Sequence, residues 1–336
     1  MILKRSTNKN RLGTLKAGFA LLLCAIVFAG SVYWISKAKL KTGKPPRIQS
    51  TPVMDDPGKN AVFVFASQTE LSHLYLYYDI GPSIENARKA DILVVGNSRS
   101  QLGIREPLFD AAKELGLRAF NLGVGHADGS SFALDLIKRH NLRPKVIIVN
   151  GGSSIFYGGY SKWARKAMSM GEWNARKKIW EGTVGWWVKS KLHSFIPRVE
   201  YFKGRLTSHW VHYRSTDNGW WRNVLEPRRG YPISFVDKKP SDPRSVPRAT
   251  EFVEEMKARG SVVVLTTAPY RKANLNHLEH LSELLKISYV LPPLEGLKTA
   301  DSSHLNFESA QRFTSDLWDR LIALPEVKEA LDLIEK

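Results

Sequence analysis

Three short apolar runs, each rich in valine, isoleucine or leucine, constrain the fold of this chain more than any other feature. They are Asp91–Gly96, Pro144–Val149 and Ser261–Thr266. Runs of this length without alternating polar residues are typical of strands buried on both faces of a parallel sheet, because helices cover both sides of such a sheet. Shorter runs at Arg118–Leu122 and Ile287–Leu291 predict two further strands.

Helical patterns separate these predicted strands. Apolar residues with helical spacing occur at Pro107–Leu115, Ser130–His140, Ala249–Arg259, Leu275–Leu285 and Ser309–Leu324. The alternation predicts an α/β fold, a three-layer flavodoxin-like parallel sheet with helices on both faces. Ligands bind such sheets at the carboxyl ends of the strands, near the point where the strand order reverses. Polar motifs that directly follow the strands are therefore the candidates for a functional site.

An uncharged apolar run, Ala17–Ile35, precedes the predicted α/β domain. Its length is close to the roughly 20 residues that cross a bilayer core about 30 Å thick, so it predicts a transmembrane anchor at residues 17–36 after a cytoplasmic tail at residues 1–16. A cleaved signal peptide is the alternative, but no Ala-x-Ala site follows, and Leu23 before Cys24 does not fit a lipoprotein signal. Basic residues flank the run on both sides. The short tail therefore sets the expected orientation, with the large domain extracytoplasmic.

Composition divides the rest of the chain. Residues 37–60 contain mainly Lys, Gly, Pro and Asp without apolar periodicity and predict a linker. Residues 61–336 are expected to form the α/β domain, interrupted at 156–248 by an insertion that we expect to be helical. The single cysteine, Cys24, excludes an intrachain disulfide and a cysteine metal site. A net charge of +18 predicts attraction to nucleic acid, anionic lipid headgroups or acidic glycans.

A serine directly follows the first predicted strand, in Gly96-Asn97-Ser98-Arg99-Ser100. Glycine at such a strand-to-helix turn permits a tight bend and leaves room for a substrate carbonyl near the hydroxyl of Ser98. The motif has a simpler alternative, in which Ser98 or Ser100 only caps the following helix.

An acidic residue and a histidine lie three positions apart before the last predicted helix. One turn would let Asp301 accept a hydrogen bond from Nδ1 of His304, which leaves Nε2 free to act as a general base for a serine hydroxyl. The segment alone fits a helix cap equally well. Combined with Ser98 at the other end of the same domain, it predicts a serine-type acyl-transfer site.

These two motifs resemble the first and last sequence blocks of the SGNH, or GDSL-like, hydrolase superfamily. The resemblance covers roughly residues 88–155 and 255–325, and Asn97 stands where the family more often has Asp. It implies that Ser98 is the nucleophile, His304 the base and Asp301 the residue that orients the base. It also implies the parallel-sheet architecture of that superfamily.

The middle blocks match less well. In Asn121–His126, which resembles the second block, Gly125 comes one residue early, so the resemblance implies Gly125 or His126 as a backbone oxyanion donor. In the third block the family's oxyanion asparagine falls on Ser153, and Asn150 is displaced toward the strand. One such donor is worth roughly 3–4 kcal/mol of transition-state stabilisation, so a general esterase is disfavoured. Membrane-anchored relatives that transfer acyl groups onto exported cell-surface polymers, such as the D-alanyl transfer protein of teichoic acid synthesis and the alginate acetylation proteins, have a similarly weakened block.

The predicted insertion is basic and rich in tryptophan. Eight of the ten tryptophans lie between Trp163 and Trp221, with lysines and arginines among them. This composition suits a helix on a membrane surface, a polysaccharide groove or stacking on nucleic acid, and the predicted anchor argues against nucleic acid. The alternative is that the aromatic residues form the insertion's own core.

No cofactor or metal is expected from the sequence. The histidines at His126, His193, His209 and His212 lack a ligand spacing with nearby carboxylates, and neither a phosphate-binding loop nor a dinucleotide fingerprint occurs. The sequence therefore predicts a membrane-anchored O-acyltransferase or O-acylesterase, with acetyl as the expected group, that acts on a cell-surface glycan. Its candidate partners are the lipid bilayer and a membrane-bound acyltransferase. The alternative is a non-catalytic glycan-binding or assembly protein with the same fold.

Overall fold

Alternating strands and helices fill the part of the chain that the computed structural model describes, namely residues 61–65, 70–125, 128–150, 155–156, 159–181, 211–223, 230–234, 244–271 and 273–333. All of them belong to one unit, Ser50–Lys336. The predicted tail, anchor and linker at 1–16, 17–36 and 37–60 lie outside the described residues, as do His126 and Ser153. Within the described ranges, no helix has the length and apolar character needed to span a membrane.

The strands, in chain order, are β1 (Ala61–Phe65), β2 (Ile92–Gly96), β3 (Ala119–Asn121), β4 (Val146–Asn150), β5 (Val211–Ser215), β6 (Trp221–Asn223), β7 (Tyr231–Pro232), β8 (Val262–Thr266), β9 (Ser288–Tyr289) and β10 (Lys298–Thr299). The helices are α1 (Glu70–Tyr77), α2 (Ser83–Arg88), α3 (Ser98–Gly103), α4 (Glu106–Glu114), α5 (Ser130–His140), α6 (Lys162–Ser169), α7 (172–181), α8 (Val246–Ala258), α9 (Asn276–Leu285), α10 (Phe307–Ala323) and α11 (Pro325–Ala330). The elements predicted from the apolar patterns are all present, with ends that coincide or differ by at most three residues.

Five strands form one parallel sheet in the order β3-β2-β4-β8-β9. The first strand of this sheet along the chain is β2. The next strand, β3, lies on one side of β2, and β4 lies on the other side. This order is consistent with a flavodoxin-like fold, whose ligand site lies where the order reverses. The predicted α/β class with a parallel sheet is confirmed, and Ser98 follows β2 at the point of reversal.

The sheet is covered on both faces, as its apolar strands require. Both β2 and β4 are buried along their whole length. Alternate residues of a strand point to opposite faces. Leu93 accordingly belongs to the same apolar cluster as Phe132, whereas Val94 belongs to the cluster that contains Phe313. Each fully buried side chain of this kind stabilises the fold by roughly 1.5–3 kcal/mol, which makes the central strands a rigid base for the turns at their ends.

The sequence led us to expect a helical insertion, but the described part of it is not wholly helical. Helices α6 and α7 are followed by strands, and β5 pairs antiparallel with both β1 and β6 in a separate three-stranded sheet. A two-stranded hairpin is marginal by itself, so the third strand is what makes this sheet stable. Because β1 lies outside the insertion, the composition of the insertion alone could not reveal the pairing. Arg214 and Trp221, paired across β5 and β6, are both buried.

A buried side-chain cluster connects this region to the sheet. His73 in α1 is hydrogen-bonded to Asp128, and both side chains are fully buried. Asp128 also accepts hydrogen bonds from the backbone N–H and from the hydroxyl of Ser161, each at 2.8 Å. Because Ser161 is the N-cap of α6, Asp128 joins α1, α6 and the loop that follows β3.

Candidate functional site

The turn after β2 presents Ser98 as the first residue of α3. Asn97 caps this helix, because its side-chain oxygen accepts the backbone N–H of Arg99 at 3.0 Å. The hydroxyl of Ser100 donates to the carbonyl oxygen of Asn97 at 2.8 Å. The alternative in which Ser98 or Ser100 is the cap is therefore wrong, and the hydroxyl of Ser98 is left for another partner.

Glycine is required at the end of β2 by a close approach of the chain. A Cβ atom on Gly96 would collide with the carbonyl oxygen of Asn150 and with Oγ of Ser100, and the φ angle of Gly96 is +156°. The missing side chain lets β2, the end of β4 and the start of α3 pack directly on one another. The position of Ser98 is set by this packing.

The segment Ala300–Leu305, here called the acid–base loop, is a tight turn organised by Asp301. One carboxylate oxygen of Asp301 accepts the backbone N–H groups of Ser303 at 3.0 Å and His304 at 2.8 Å. The other oxygen accepts Nδ1–H of His304 at 2.8 Å. Ser302 takes a φ angle of +70°, which reverses the chain between the two side chains. The single turn expected from the three-residue spacing is thus present.

Nε2 of His304 lies 2.9 Å from Oγ of Ser98, although 206 residues separate the two in sequence. With Nδ1–H donated to Asp301, Nε2 is the acceptor for the serine hydroxyl. Ser98, His304 and Asp301 therefore form one continuous hydrogen-bonded chain. The side chains of His304 and Asp301 are 20% and 40% exposed, so the chain opens to solvent rather than lying in the core.

The hydrogen bonds of the loop keep Asp301 ionised. Partial burial raises the pKa of Asp301, but the hydrogen bond from His304, the interaction with its charge and the two backbone N–H groups outweigh burial and lower the pKa to about 2. A carboxylate that stays charged at neutral pH stabilises the imidazolium that forms when His304 takes a proton.

Arg99 connects α3, which begins with Ser98, to the acid–base loop. Its Nε donates to the carbonyl oxygen of Ser303 at 3.3 Å, and its guanidinium carbon lies 3.6 Å from the ring centre of Tyr270. Burial lowers the pKa of Arg99, against the opposing influence of Tyr270 and Asp301. From the segment after β8, the backbone N–H of Arg271 donates to the carbonyl of Ser302 at 3.0 Å.

Sequence reasoning missed Tyr270 and Arg271 as supports of the site. The available signal was their position, four and five residues after the end of β8, at the same sheet edge as the turn after β2. Arg271 uses its backbone N–H, and Tyr270 uses the face of its ring. Contacts of these two kinds produce no recognisable sequence motif.

The loop after β3 packs against the nucleophile turn and carries Gly125, the predicted backbone donor. Gly125 is buried. Just before it, the N–H of Val124 donates to the carbonyl of Gly96 at 3.1 Å, and Gln101 in α3 donates to the carbonyl of Gly123 at 3.1 Å. These contacts bring the backbone on the N-terminal side of Gly125 to the start of α3.

Asn150, the displaced asparagine of the third block and a further candidate for the oxyanion hole, is the last residue of β4 and is paired in register with Gly96. Its side-chain oxygen accepts the backbone N–H of Ala268 at 2.8 Å. Its buried Nδ2 has no hydrogen-bond partner among the described residues. Asn150 therefore ties β4 to the segment after β8 and has an amide donor available at the sheet edge.

Two further polar residues support the turn that carries Ser98: Asn121, which begins the segment resembling the second block, and Arg214, which was not found from the sequence. Asn121 donates from its side chain to the carbonyl of Ser100 at 2.9 Å and accepts the N–H of Gly123 at 2.9 Å. Arg214 donates to the carbonyl of Asn121 at 2.6 Å and to the hydroxyl of Ser72 at 2.9 Å. Complete burial lowers the pKa of Arg214 to about 9. Because Arg214 comes from the β5–β6 hairpin, no local pattern links it to the site.

Within the described ranges, no group of three or more His, Cys, Asp or Glu side chains is arranged to hold a metal ion. Comparison of the chain with protein-family models, with curated proteins and with solved structures gives no match in any of the three. What the site does must therefore be argued from its own geometry.

Proposed function

We propose that this chain is a serine-type acyl-transfer enzyme, an O-acyltransferase or O-acylesterase. Ser98 is the nucleophile, His304 the general base and Asp301 the residue that orients and stabilises the base. The observation that carries the proposal is the hydrogen-bonded chain from Oγ of Ser98 through His304 to Asp301. Nucleophile, base and orienting group within hydrogen-bond reach of one another are the signature of activated serine chemistry.

The reaction proceeds in two steps. Oγ of Ser98 forms a bond to the carbonyl carbon of the donor ester while Nε2 of His304 takes the hydroxyl proton. As the tetrahedral intermediate collapses, the ester C–O bond breaks and His304 returns the proton to the leaving alcohol. An acceptor hydroxyl then gives its proton to His304 and attacks the acyl-serine, which releases Ser98. The acceptor is a sugar hydroxyl in transfer and water in hydrolysis.

Negative charge on the intermediate requires donors at the turn. The N–H of Gly125 and the amide of Asn150 are the candidates from the described residues, with Ser153 as the third candidate from the sequence. Removal of one donor in such a site costs roughly 3–4 kcal/mol. The unpartnered Nδ2 of Asn150 supports its inclusion in this group.

Membership of the SGNH superfamily is part of the proposal. It rests on the resemblance of the Gly96-Asn97-Ser98 and Asp301-x-x-His304 motifs, and the flavodoxin-like strand order supports it.

We further propose a single-pass anchor at 17–36 with the enzymatic domain outside the cytoplasm. The substrate would be a cell-surface glycan carrying an acyl group, with acetyl as the first to test, and a membrane-bound acyltransferase would supply that group. The exposure of His304 and Asp301 suits a polymer acceptor, whose hydroxyl must approach from solvent.

Labelling with a fluorophosphonate probe tests the assignment. We expect one covalent adduct per native chain, located on the peptide that contains Ser98, and no adduct on Ser98→Ala. Ser303→Ala is the matched control, because Ser303 contributes only backbone atoms to the acid–base loop, and it should label like the native chain. An unlabelled native protein, or equal labelling of Ser98→Ala, would favour a non-catalytic glycan-binding protein.

A second experiment separates transfer from hydrolysis. The native protein is incubated with p-nitrophenyl acetate, with and without a polysaccharide acceptor. Acetyl groups on the polysaccharide, absent with Ser98→Ala, indicate transfer. Release of acetate at the same rate with or without acceptor indicates hydrolysis.

A further inference from the structure

Helix α7 presents two tryptophans to solvent. Trp173 is 79% exposed and Trp180 is 65% exposed. Single exposed hydrophobic residues are normal on protein surfaces, but two indoles on one short helix form a local patch. The alternative that the aromatic residues form the insertion's own core does not fit these two, whereas Trp221 is buried.

The two indoles share one side of α7. Seven residues separate them, which is close to two helical turns and places the rings about 10 Å apart along the axis. The opposite side of the helix carries the buried Ala175 and Ile179, which belong to an apolar cluster with Leu71 of α1. Helix α7 therefore packs on its neighbours through Ala175 and Ile179, and the two tryptophans take no part in this packing.

Basic residues outnumber acidic ones beside the exposed indoles. Arg176 and Lys177 lie between the indoles, three and four residues after Trp173, and both are exposed. They pair with the exposed Glu172 and Glu181 at 2.8 Å and 3.9 Å, and exposed pairs of this kind contribute little, so lipid phosphates can replace them. Over α6 and α7 together, residues 162–181 contain six basic residues and two acidic ones. In α6, the ammonium groups of Lys162 and Lys166 lie 4.6 Å and 5.9 Å from the ring centre of Trp163. Cationic groups are thus concentrated on two consecutive helices, and the exposed indoles lie on the second of them.

We propose that the solvent-facing side of α7, formed by Trp173, Arg176, Lys177 and Trp180, docks on the surface of an anionic lipid bilayer. The helix lies parallel to the bilayer, both indoles enter the headgroup region, and the two basic side chains contact lipid phosphates. Indoles favour this depth because one edge is apolar and the N–H finds polar partners. This inference is independent of the serine site.

The form of the surface favours a bilayer over a glycan. A sugar-binding site needs a groove or platform that holds successive rings, whereas Trp173 and Trp180 project outward from a convex helix surface. The positive charge around them complements anionic headgroups. The anchor predicted at 17–36 gives an independent reason to expect a bilayer as a surface for this chain.

A site-specific fluorophore tests the proposal on the full chain. Asn174→Cys, in a Cys24→Ser background, carries an environment-sensitive dye at an exposed, uncharged position of α7. Asn276→Cys on α9 carries the same dye as the matched control. The protein is reconstituted with vesicles of phosphatidylcholine alone or of phosphatidylcholine and phosphatidylglycerol in equal parts. We expect a blue shift of the α7 dye only with the anionic vesicles and no shift of the α9 dye.

Two changes should remove that shift. Substitution of both indoles, Trp173→Gln with Trp180→Gln, should abolish it, and raising salt from about 0.1 M to about 1 M should weaken it, because the Debye length falls from about 10 Å to about 3 Å. Equal shifts in both vesicle types, equal shifts of both dyes, or an α7 shift produced by an acidic polysaccharide with the zwitterionic vesicles would overturn the proposal.

Discussion

Nε of Arg99 donates a hydrogen bond to the carbonyl oxygen of Ser303, so the helix that begins with Ser98 also holds the loop that carries His304. The residues on either side of this contact, Ser98 and His304, are the two partners whose distance matters most for proton transfer. The stack of Arg99 on Tyr270 fixes the guanidinium from the other side.

From this contact we predict that Arg99→Gln slows the reaction without weakening substrate binding. A misplacement of about 1 Å in such a site can cost on the order of 100-fold in rate, so we expect a 10- to 100-fold lower kcat, little change in KM and a nearly unchanged melting temperature. Arg99→Lys should recover part of the rate, because an ammonium group can donate to the same carbonyl but lacks the planar stack. Fluorophosphonate labelling rates should follow kcat.

Arg271→Gln is the matched control for Arg99→Gln. Arg271 holds Ser302 through its backbone N–H, and its side chain is exposed, so the substitution should leave kcat unchanged. Equal losses in the two variants would contradict a positioning role for the Arg99 guanidinium.

The acid stability of the protein should depend on Asp301. The pKa of Asp301 is lowered to about 2 in the folded chain, against about 3.9 for an unfolded aspartate. A carboxyl whose folded pKa is lowered stabilises the fold above its unfolded pKa, and this stabilisation is lost as pH falls through the folded pKa. The melting temperature of Asp301→Asn should therefore lie below that of the native protein by a constant amount at neutral pH, and the gap should narrow between about pH 4 and pH 2.

Asp319→Asn provides the comparison for that experiment, because Asp319 is an exposed carboxylate of α10. Its melting temperature should follow that of the native protein across the acid range. A gap for Asp301→Asn that stays constant down to pH 2 would mean that its ionisation does not support the fold.

Gly96→Ala should be one of the most damaging small substitutions in the chain. The new methyl group would meet the backbone of Asn150 and the side chain of Ser100, and the φ angle of +156° is one that alanine rarely adopts. Strain and overpacking together should cost about 3 kcal/mol or more in the free energy of unfolding. Guanidinium unfolding measures the cost, and fluorophosphonate labelling should be lost as Ser98 is displaced.

Gly116→Ala measures the cost of a positive φ angle alone, without the atomic overlap expected at Gly96. Gly116 has a φ angle of +74°, but open space surrounds its Cβ position, and it lies before the amino end of β3, away from the site. We expect a loss of about 1–2 kcal/mol and normal labelling. Equal losses of stability in the two variants would argue against tight packing at Gly96.

Asp128→Ala should destabilise the fold strongly. Asp128 is fully buried and accepts hydrogen bonds from His73 and from two groups of Ser161, all of which would lose this acceptor. Loss of the acceptor of a buried donor typically costs about 1–3 kcal/mol in the free energy of unfolding. Denaturant unfolding should show this loss, whereas Asp110→Ala, at an exposed position of α4, should change stability by less than about 0.5 kcal/mol. A small effect of Asp128→Ala would mean that the cluster contributes little to the fold.

The central sheet was predictable because its strands have a strong local signature. Continuous apolar runs such as Asp91–Gly96 cannot remain exposed, and the helical patterns between them leave few ways to bury both faces. The geometry of Asp301 and His304 was predictable for a related reason, since a three-residue spacing in a polar turn limits where the two side chains can meet. Contact of this pair with Ser98 was inferred from the occurrence of both motifs in one α/β domain, and the resemblance to a known superfamily agreed with it.

The remaining features depend on contacts that are distant in sequence. In the sheet of β1, β5 and β6, the strand β1 comes from outside the insertion. The composition of the insertion could not indicate this partner. Arg214 reaches Asn121 only through that sheet. The support that Arg99 gives to the acid–base loop uses a backbone carbonyl, and any residue at position 303 would supply one. Sequence patterns report side chains, and these contacts are made largely by the backbone.

The separation of 206 residues in sequence between Ser98 and His304 also has a consequence for biosynthesis. Under the proposed mechanism, a growing chain displays Ser98 long before the ribosome has added His304, the base that would activate it. Until the late loop docks, Ser98 would be an ordinary alcohol with no base beside it. Covalent capture by an ester-like probe therefore reports on the completion of folding, and in pulse-labelled cells it would date the moment when each molecule becomes mature.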